Sequence, residues 1–296
     1  MRRTMTLLVA TTAALALTAE APASQLIDRD ATKVTLQVNA KGEAMVNYTA
    51  GGKLKHVLAW GAVNAVAPAR GKKQVSFELD YSGGYGKYHK NSYWTSFSAC
   101  APYDGAPLAW KVVACKAADQ SYWALQAWQR ALPNYGLPAT GAQAVWELHL
   151  SHWTGGLPAL EIATDWSYRK YDQLFGTYTY DDVGVYGFSS TSAGVPLDTF
   201  GRNIYVDTFD SAYGKGWKRE NSFLTHRSKG SFCYGLFPHG SHPAGNGVKY
   251  RATAIGPGVA PDVMWTGDAP GAYDATADKE ANDTLKAMGD SKCRPN

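Results

Sequence analysis

Alternation of apolar and polar residues, broken at short intervals by glycine turns, constrains the fold of this chain more than any other feature. Residues 34–38 alternate, Lys41-Gly42 follows, and residues 44–48 alternate again before Gly51-Gly52. Side chains two apart along a strand share one face of a sheet, so this pattern is typical of half-buried strands joined by tight turns.

The same rhythm continues along most of the chain, with turn residues recurring about every eight to fifteen positions. We therefore predict an all-β fold, an antiparallel β-sandwich of the jelly-roll or lectin-like kind. Residues 121–132 suit a helix or a strand, and the preceding turn favours a strand. A short C-terminal helix is predicted over 274–288, where apolar residues recur at helical spacing and Gly289 follows.

The first 23 residues have the composition of a secretory signal peptide. Arg2 and Arg3 precede an apolar run over 7–19, and Ala21-Pro22-Ala23 offers the small-x-small pattern of a cleavage site. The apolar run is too short for a comfortable span of a bilayer core roughly 30 Å thick, although a retained N-terminal anchor is the alternative. We expect cleavage after Ala23, a secreted protein and no transmembrane segment.

Residues 24–296 then form the β-rich globular region, with a possible subdivision near 133–142, where two Pro and two Gly cluster. The four cysteines of an exported chain predict two disulfides. Their spacing favours Cys100–Cys115, across a hairpin of strands 93–100 and 108–115, and Cys233–Cys293, which would tie down the C-terminal tail.

The charge is unevenly distributed. Residues 24–120 contain 12 basic and 7 acidic side chains, a balance of +5, whereas residues 121–296 contain 15 and 17, a balance of −2. The basic surplus lies in three clusters, at 53–56, 70–73 and 87–90. They are either ordinary solvated loops or parts of a patch that attracts an acidic polymer of the cell surface.

Aromatic residues dominate the composition, with 10 Trp and 18 Tyr. Flat aromatic rings stack on the C–H faces of sugars, so exposed rings on a secreted β-sandwich indicate carbohydrate binding; the alternative is that they fill the core. The predicted binding residues are Trp94, Trp110, Trp123, Trp128, Trp153 and His149.

One predicted hairpin suggests a catalytic alternative. If strands 145–152 and 158–166 pair across a three-residue loop, one face stays apolar and Glu147 faces Asp165, with His149 beside them. Two carboxylates about 5 Å apart suit a retaining glycosidase or a Ca²⁺ site. An ordinary solvated face with hydrated carboxylates is the other interpretation.

A second, weaker candidate for calcium is the loop with Asp207 and Asp210, although its spacing does not match an EF-hand and a capped turn also explains it. The chain contains no G-x-S-x-G, H-E-x-x-H, P-loop or dinucleotide-binding motif. We expect no cofactor other than this possible Ca²⁺.

Three functions are consistent with these features. The first is non-catalytic binding of carbohydrate or an acidic cell-surface polymer through exposed aromatics, with no role for nucleic acid. The second is a glycan-active hydrolase that uses Glu147 and Asp165, and the third is a structural or interaction protein of the cell envelope. The sequence leaves the glycan and the oligomeric state open.

Overall fold

The computed structural model describes residues 24–67, 71–129, 132, 141–167, 171–185, 189–190, 196–197, 204–220, 223–226, 231–236, 247–256 and 258–287. The first half contains nine strands: β1 Gln25–Arg29, β2 Thr32–Val38, β3 Ala44–Ala50, β4 Lys53–Trp60, β5 Glu78–Asp80, β6 Ala101–Pro102, β7 Lys111–Lys116, β8 Tyr122–Trp128 and β9 Glu147–Trp153. Its short helices are α1 Tyr85–Tyr88 and two 3₁₀ turns, Tyr93–Ser96 and Gly141–Ala144.

The second half contains the remaining strands and the C-terminal helix. They are β10 Ala159–Ser167, β11 Tyr171–Tyr180, β12 Val183–Gly184, β13 Ser189–Ser190, β14 Pro196–Leu197, β15 Ile204–Ser211, β16 Gly214–Arg219, β17 Phe223–His226, β18 Ser231–Leu236, β19 Lys249–Ala254, β20 Val263–Asp268 and α2 Ala275–Ala287. The predicted all-β class and the C-terminal helix are confirmed, and within 121–132 the segment Tyr122–Trp128 is a strand, as the preceding turn favours.

Four antiparallel sheets contain almost all of these strands. Sheet 1 has the order β1-β9-β8-β7-β6 and sheet 2 the order β2-β3-β4-β5; sheet 3 is β10-β11-β18-β17, with β12 on β11, and sheet 4 is β16-β15-β19-β20. Strands β13 and β14 form a separate two-stranded ribbon. Every observed pairing is antiparallel, as the hairpin-rich sequence predicts.

Sheet 2 forms where the alternation is clearest. Gly51 and Gly52 have φ values of 56° and 73° and connect Ala50 to its partner Lys53, so this tight hairpin uses the backbone region that glycine adopts most easily. The apolar faces of sheets 1 and 2 then meet in a sandwich-like core, which includes Leu36, Val46 and Trp123.

Sheets 3 and 4 enclose a second core, in which Leu174 and Tyr178 pack with Val206 and Tyr250. Residues 133–140 of the predicted boundary lie outside the described residues, so the subdivision near 133–142 stays a prediction. The second half contacts sheet 1 directly, because the N–H of His152 donates to the carbonyl of Val259 at 2.9 Å.

The predicted Cys100–Cys115 disulfide is confirmed, with the two Cα atoms 5.7 Å apart. The long hairpin predicted around it is wrong for its first strand, because residues 93–96 form a 3₁₀ turn and the pairing with β7 involves only Ala101 and Pro102. Cys293 lies outside the described residues, so the Cys233–Cys293 bridge stays a prediction.

Candidate functional site

A loop over residues 81–97 folds across sheet 2 and brings cations and aromatic rings together. We call the resulting region the aromatic–basic surface, and its members are Lys41, His56, Trp60, Tyr85, Lys87, Tyr88, His89, Lys90 and Trp94. They come from the β2–β3 turn, from β4 and from the loop itself. Ring and cation contacts join Lys41 and Lys87 to Trp60 and Tyr88, and separate ring contacts join His56 to Trp94 and Tyr85 to His89.

Lys87 is the central cation of this surface. Its Nζ lies 3.6 Å from the ring centroid of Trp60 and 5.3 Å from that of Tyr88. Lys41 approaches Tyr88 as well, with Nζ 5.1 Å from the ring centroid. Cations at these distances are attracted by the negative faces of aromatic rings, so the rings help to hold both ammonium groups in place.

The buried carboxylate of Glu43 anchors the loop from below. It accepts hydrogen bonds from the hydroxyls of Tyr88 and Tyr93 and from Asn39 Nδ2, and Lys87 Nζ lies 3.0 Å from its Oε1. Burial opposes ionisation, but the hydrogen bonds from Tyr88, Asn39 and Lys87 outweigh it and lower the pKa of Glu43 to about 2. The hydrogen bond that the Tyr88 hydroxyl donates to Glu43 raises the pKa of Tyr88. Glu43 is therefore ionised at neutral pH and fixes two tyrosines and a lysine.

Glycine allows the loop to approach β4 closely. Gly84 has φ 98°, and a Cβ there would lie 2.3 Å from the ring of Tyr93. A Cβ on Gly83 would lie 2.8 Å from Cβ of His56, whose ring stacks on Trp94 with centroids 3.8 Å apart. A larger residue at Gly83 would push the loop away from β4, and one at Gly84 would displace Tyr93 within the loop.

Asp80 fixes the start of the same loop. Its carboxylate accepts hydrogen bonds from the backbone N–H groups of Ser82 and Lys87, each at 2.9 Å. Burial raises the pKa of Asp80, but the hydrogen bonds that its carboxylate accepts have the larger combined effect, and the pKa is lowered. One side chain thus holds both the turn before the short helix α1 and Lys87 within the helix.

A groove of about 460 Å³ adjoins the aromatic–basic surface on the side of the disulfide. Its polar lining includes Asn39, Ser96, Ser98, Lys116 and Gln120. Asn39 also donates to Glu43, so the groove and the surface share an anchoring residue. Hydroxyl, amide and ammonium groups in a concave site can hydrogen-bond a polyhydroxylated or acidic ligand.

Two of the three predicted basic clusters contribute to this surface. Residues 53–56 supply His56, and residues 87–90 supply Lys87 together with the exposed His89 and Lys90. The third cluster includes Arg70, which lies outside the described residues, and its Lys72 and Lys73 are exposed in the segment before β5. The sequence could identify the clusters but not their meeting, because 30 residues separate them.

Most of the tryptophans predicted to bind ligand lie in the interior. Trp123, Trp128 and Trp153 are 0%, 2% and 1% exposed, so the prediction that they form an open platform is wrong. Their large apolar area is better removed from water in the cores. Trp110 is half-buried and stacks on Trp128, whereas Trp94 is half-buried within the aromatic–basic surface.

The predicted pairing of Glu147 with Asp165 is also wrong. β9 lies between β1 and β8, where Glu147 faces Arg29 and Trp128, and β10 pairs with β11, where Asp165 faces Gln173. The chain crosses between sheets after β9 instead of turning back in a hairpin. All seven residues of β9 are buried, so its polar face is not the solvent-facing side that the alternation suggested.

His149 lies on this buried polar face, 3% exposed. Its Nε2 is 3.3 Å from Oε2 of Glu147, and its Nδ1 is 2.9 Å from Oγ of Ser24. Oγ of Ser24 in turn donates to Asp262 at 2.8 Å. Sequence reasoning found His149 and Glu147 but missed Ser24 and Asp262, which come from distant parts of the chain.

The two aspartates suggested for calcium have other partners. Asp207 lies 2.8 Å from Arg219 and 2.9 Å from Arg251, and two guanidinium groups make this carboxylate unsuited to a cation. Asp210 accepts the N–H of Gly216 and lies 3.1 Å from Lys215. Across the described part of the chain, no group of three or more His, Cys, Asp and Glu side chains is placed to hold a metal.

The residues that sequence reasoning missed at the surface are Glu43, Trp60, Tyr85 and Tyr88. Glu43 follows a turn and Tyr88 lies inside a basic cluster, so neither has a local signal for its role. Only the spacing of Tyr85, Tyr88 and Tyr93 in one glycine-rich loop could have indicated a shared site.

No family model, curated protein or solved structure matches this chain.

Proposed function

We propose that the protein is exported and binds an acidic carbohydrate or another acidic polymer of the cell envelope, without catalysis, on the aromatic–basic surface and the adjoining groove. The observation that supports this most is the meeting of the 87–90 basic cluster with Lys41 and several aromatic rings in one anchored region. The proposal keeps the ligand class expected from the sequence and moves it to different residues.

The chemistry of the surface suits such a ligand in two ways. Tyr85 is 51% exposed and offers a ring face to a sugar, while Lys41 and Lys90 are exposed cations that attract carboxylate, sulfate or phosphate groups. Lys41 and Lys90 supply the long-range attraction, because Glu43 pairs with Lys87 and neither of the other two lysines forms an ion pair with a described carboxylate.

The surface is also held in place before any ligand arrives. Glu43, Asp80 and the close packing of Gly83 and Gly84 fix the loop from three directions. A site that is already ordered loses less conformational entropy on binding, which favours a useful affinity from a few contacts.

Export is supported by the signal-like N-terminal sequence and by the Cys100–Cys115 disulfide, which is typical of oxidising compartments. Among the described residues, no helix combines the length and apolarity needed to cross a membrane. The hydrolase alternative has lost the cross-strand pairing of Glu147 and Asp165 on which it was based.

The test is a titration of the chain from Ser24 to Asn296 with alginate and hyaluronate as acidic probes and dextran as a neutral one. We expect binding to the acidic polymers that weakens as salt rises, because added ions screen exposed charges. Equal binding to dextran, or none to either acidic polymer, would refute the acidic-ligand proposal and favour the structural or interaction class.

Variants locate the site. We expect Tyr85→Ala to weaken binding ~3–10-fold, as for loss of one stacking ring, and the pair Lys41→Ala and Lys90→Ala to reduce the salt dependence. The pair Lys72→Ala and Lys73→Ala is the matched control, since it removes the same charge from two exposed positions outside this surface. If this pair has the same effect as Lys41→Ala with Lys90→Ala, binding reflects overall charge and not this site.

A further inference from the structure

Ser24 has an unusual position for a residue that follows a predicted cleavage site. It is 1% exposed, at the start of β1. Its Oγ donates to Oδ2 of Asp262 at 2.8 Å and therefore accepts from Nδ1 of His149 at 2.9 Å, because a hydroxyl has one proton to donate. The first residues of most chains are exposed and loosely held, so this burial needs a physical reason.

Asp262 is a buried carboxylate with one oxygen left without a hydrogen bond. Ser24 Oγ and Trp128 Nε1 both donate to Oδ2, whereas Oδ1 has no hydrogen-bond partner among the described residues. Burial raises the pKa of Asp262, and the nearby His149, the hydrogen bonds from Ser24 and Trp128 and the backbone N–H of Gly256 offset this only in part. Oδ1 of Asp262 can therefore accept a further hydrogen bond, and a positively charged donor would best offset the cost of burying a carboxylate.

The carboxylate cannot easily turn away from this position. Gln126 fixes the backbone of Asp262 on both sides, since its Oε1 accepts the N–H at 3.1 Å and its Nε2 donates to the carbonyl at 2.9 Å. Gln126 is itself fully buried in β8. Because Asp262 is held in place, another part of the chain must supply the hydrogen-bond donor for its Oδ1.

Cleavage after Ala23 would create such a partner. The α-nitrogen of Ser24 lies three covalent bonds from its own Oγ, so within about 4 Å of the oxygen that already contacts Asp262. In the uncleaved chain this nitrogen is an uncharged amide with one N–H. After cleavage it is an ammonium with three N–H donors and a positive charge.

We propose that the α-ammonium of Ser24, released by cleavage after Ala23, binds the buried carboxylate of Asp262 and so completes the junction between sheet 1 and the second half of the molecule. The inference rests on the predicted cleavage and not on polymer binding, which uses other residues. Removal of the leader would then stabilise the mature fold as well as release it.

The charges around this position agree with the proposal. Glu147 forms an ion pair with Arg29 at 3.1 Å and also lies beside Nε2 of His149. The Glu147 carboxylate therefore already has a cation as its partner. Asp262 is left with only the indirect contact to His149 through the Ser24 hydroxyl. An ammonium at Ser24 would give it a direct counter-charge.

The experiment compares two forms of the chain from Ser24 to Asn296, one with a free α-amine and one with an N-acetyl group, which reproduces the preceding amide bond. In the free-amine form, we expect Asp262→Asn to lower the melting temperature by about 5–10 °C, because it leaves a buried ammonium unpaired. In the acetylated form the same change should shift it by less than about 2 °C. Asp268→Asn, whose side chain is 85% exposed, is the control and should change neither form.

A second measurement needs no variant. The free α-amine of the folded wild-type chain should react with an amine-selective reagent at least 10-fold more slowly than the same amine in urea-unfolded protein. Equal reactivity, or an Asp262→Asn effect of the same size in both forms, would overturn the proposal. Neither result would affect polymer binding by Tyr85, so the two proposals fail independently.

Discussion

Glu43 and Asp262 are both buried carboxylates, 3% and 1% exposed, yet their pKa values move in opposite directions. Burial raises the pKa of each. At Glu43, donors from Tyr88, Asn39 and Lys87 reverse this effect and lower the pKa to about 2. At Asp262, Ser24 and Trp128 donate to one oxygen and the backbone N–H of Gly256 also favours ionisation, but burial remains dominant.

The difference shows that the number and charge of the donors decide the state of a buried carboxylate. Glu43 has a lysine and two tyrosine hydroxyls around both oxygens, and it holds a finished external surface in place. Asp262 has one vacant oxygen at an internal junction, and we infer that its partner arrives only after processing. The following predictions test this contrast, beginning with the largest effect.

Glu43→Gln should lower the free energy of unfolding by about 3–5 kcal/mol, because it removes one partner of a buried charge pair and leaves Lys87 without its carboxylate. Urea unfolding followed by tryptophan fluorescence measures the loss. Glu78→Gln, at an exposed position of β5, is the control and should stay within about 0.5 kcal/mol of wild type. A loss below about 1 kcal/mol at Glu43 would show that the loop does not depend on this anchor.

Gly84→Ala should cost about 2–4 kcal/mol, since the added Cβ would lie 2.3 Å from Tyr93 as well as in the left-handed region. Gly52→Ala is a matched control because Gly52 also has a positive φ, 73°, but faces open space. It should cost only about 1 kcal/mol, the backbone contribution alone. Equal costs at both positions would mean that the loop moves aside without resistance.

Ser24→Ala should lower the free energy of unfolding by about 1 kcal/mol, through loss of its hydrogen bonds to Asp262 and His149. Ser98→Ala, at an exposed position, should have no measurable effect. The measurement is urea unfolding at pH 7 with the free-amine chain. A neutral Ser24→Ala would indicate that the hydroxyl adds nothing to the junction.

The smallest expected effect is the pH dependence of the free energy of unfolding, to which Glu43 and Asp262 contribute with opposite sign. The pKa of Glu43 falls from an ordinary 4.5 to about 2 on folding, so its contribution is present above pH 4.5 and is lost as pH falls toward 2. In the N-acetylated form, which has no ammonium at Ser24, the raised pKa of Asp262 acts in reverse, since its ionisation costs stability as pH rises above 3.8. Glu43→Gln should flatten the decline of stability between pH 5 and pH 3, and an unchanged decline would assign it to other groups.

Several turns, one strand, the C-terminal helix and one disulfide were predicted correctly because each depends on residues that are close together in the sequence. The turns at Lys41-Gly42 and Gly51-Gly52, the strand over 122–128 and the C-terminal helix depend on neighbouring residues. The Cys100–Cys115 bridge joins positions only 15 apart. The candidate site was predicted only in part, through Trp94 and two basic clusters, because its anchor Glu43 is 45 residues from Tyr88.

The sequence by itself determined that this chain is built from antiparallel strands, since a period of two and glycine turns leave little other choice. Only the tertiary structure decided which strands are neighbours and which faces are covered. β9 shows the reason: its apolar face packs on sheet 2 and its polar face lies against the segment that contains Asp262, so alternation did not mark the solvent side. Strand pairing and burial depend on contacts between residues far apart in the chain, and those contacts gave Glu147, His149 and Asp262 their surroundings.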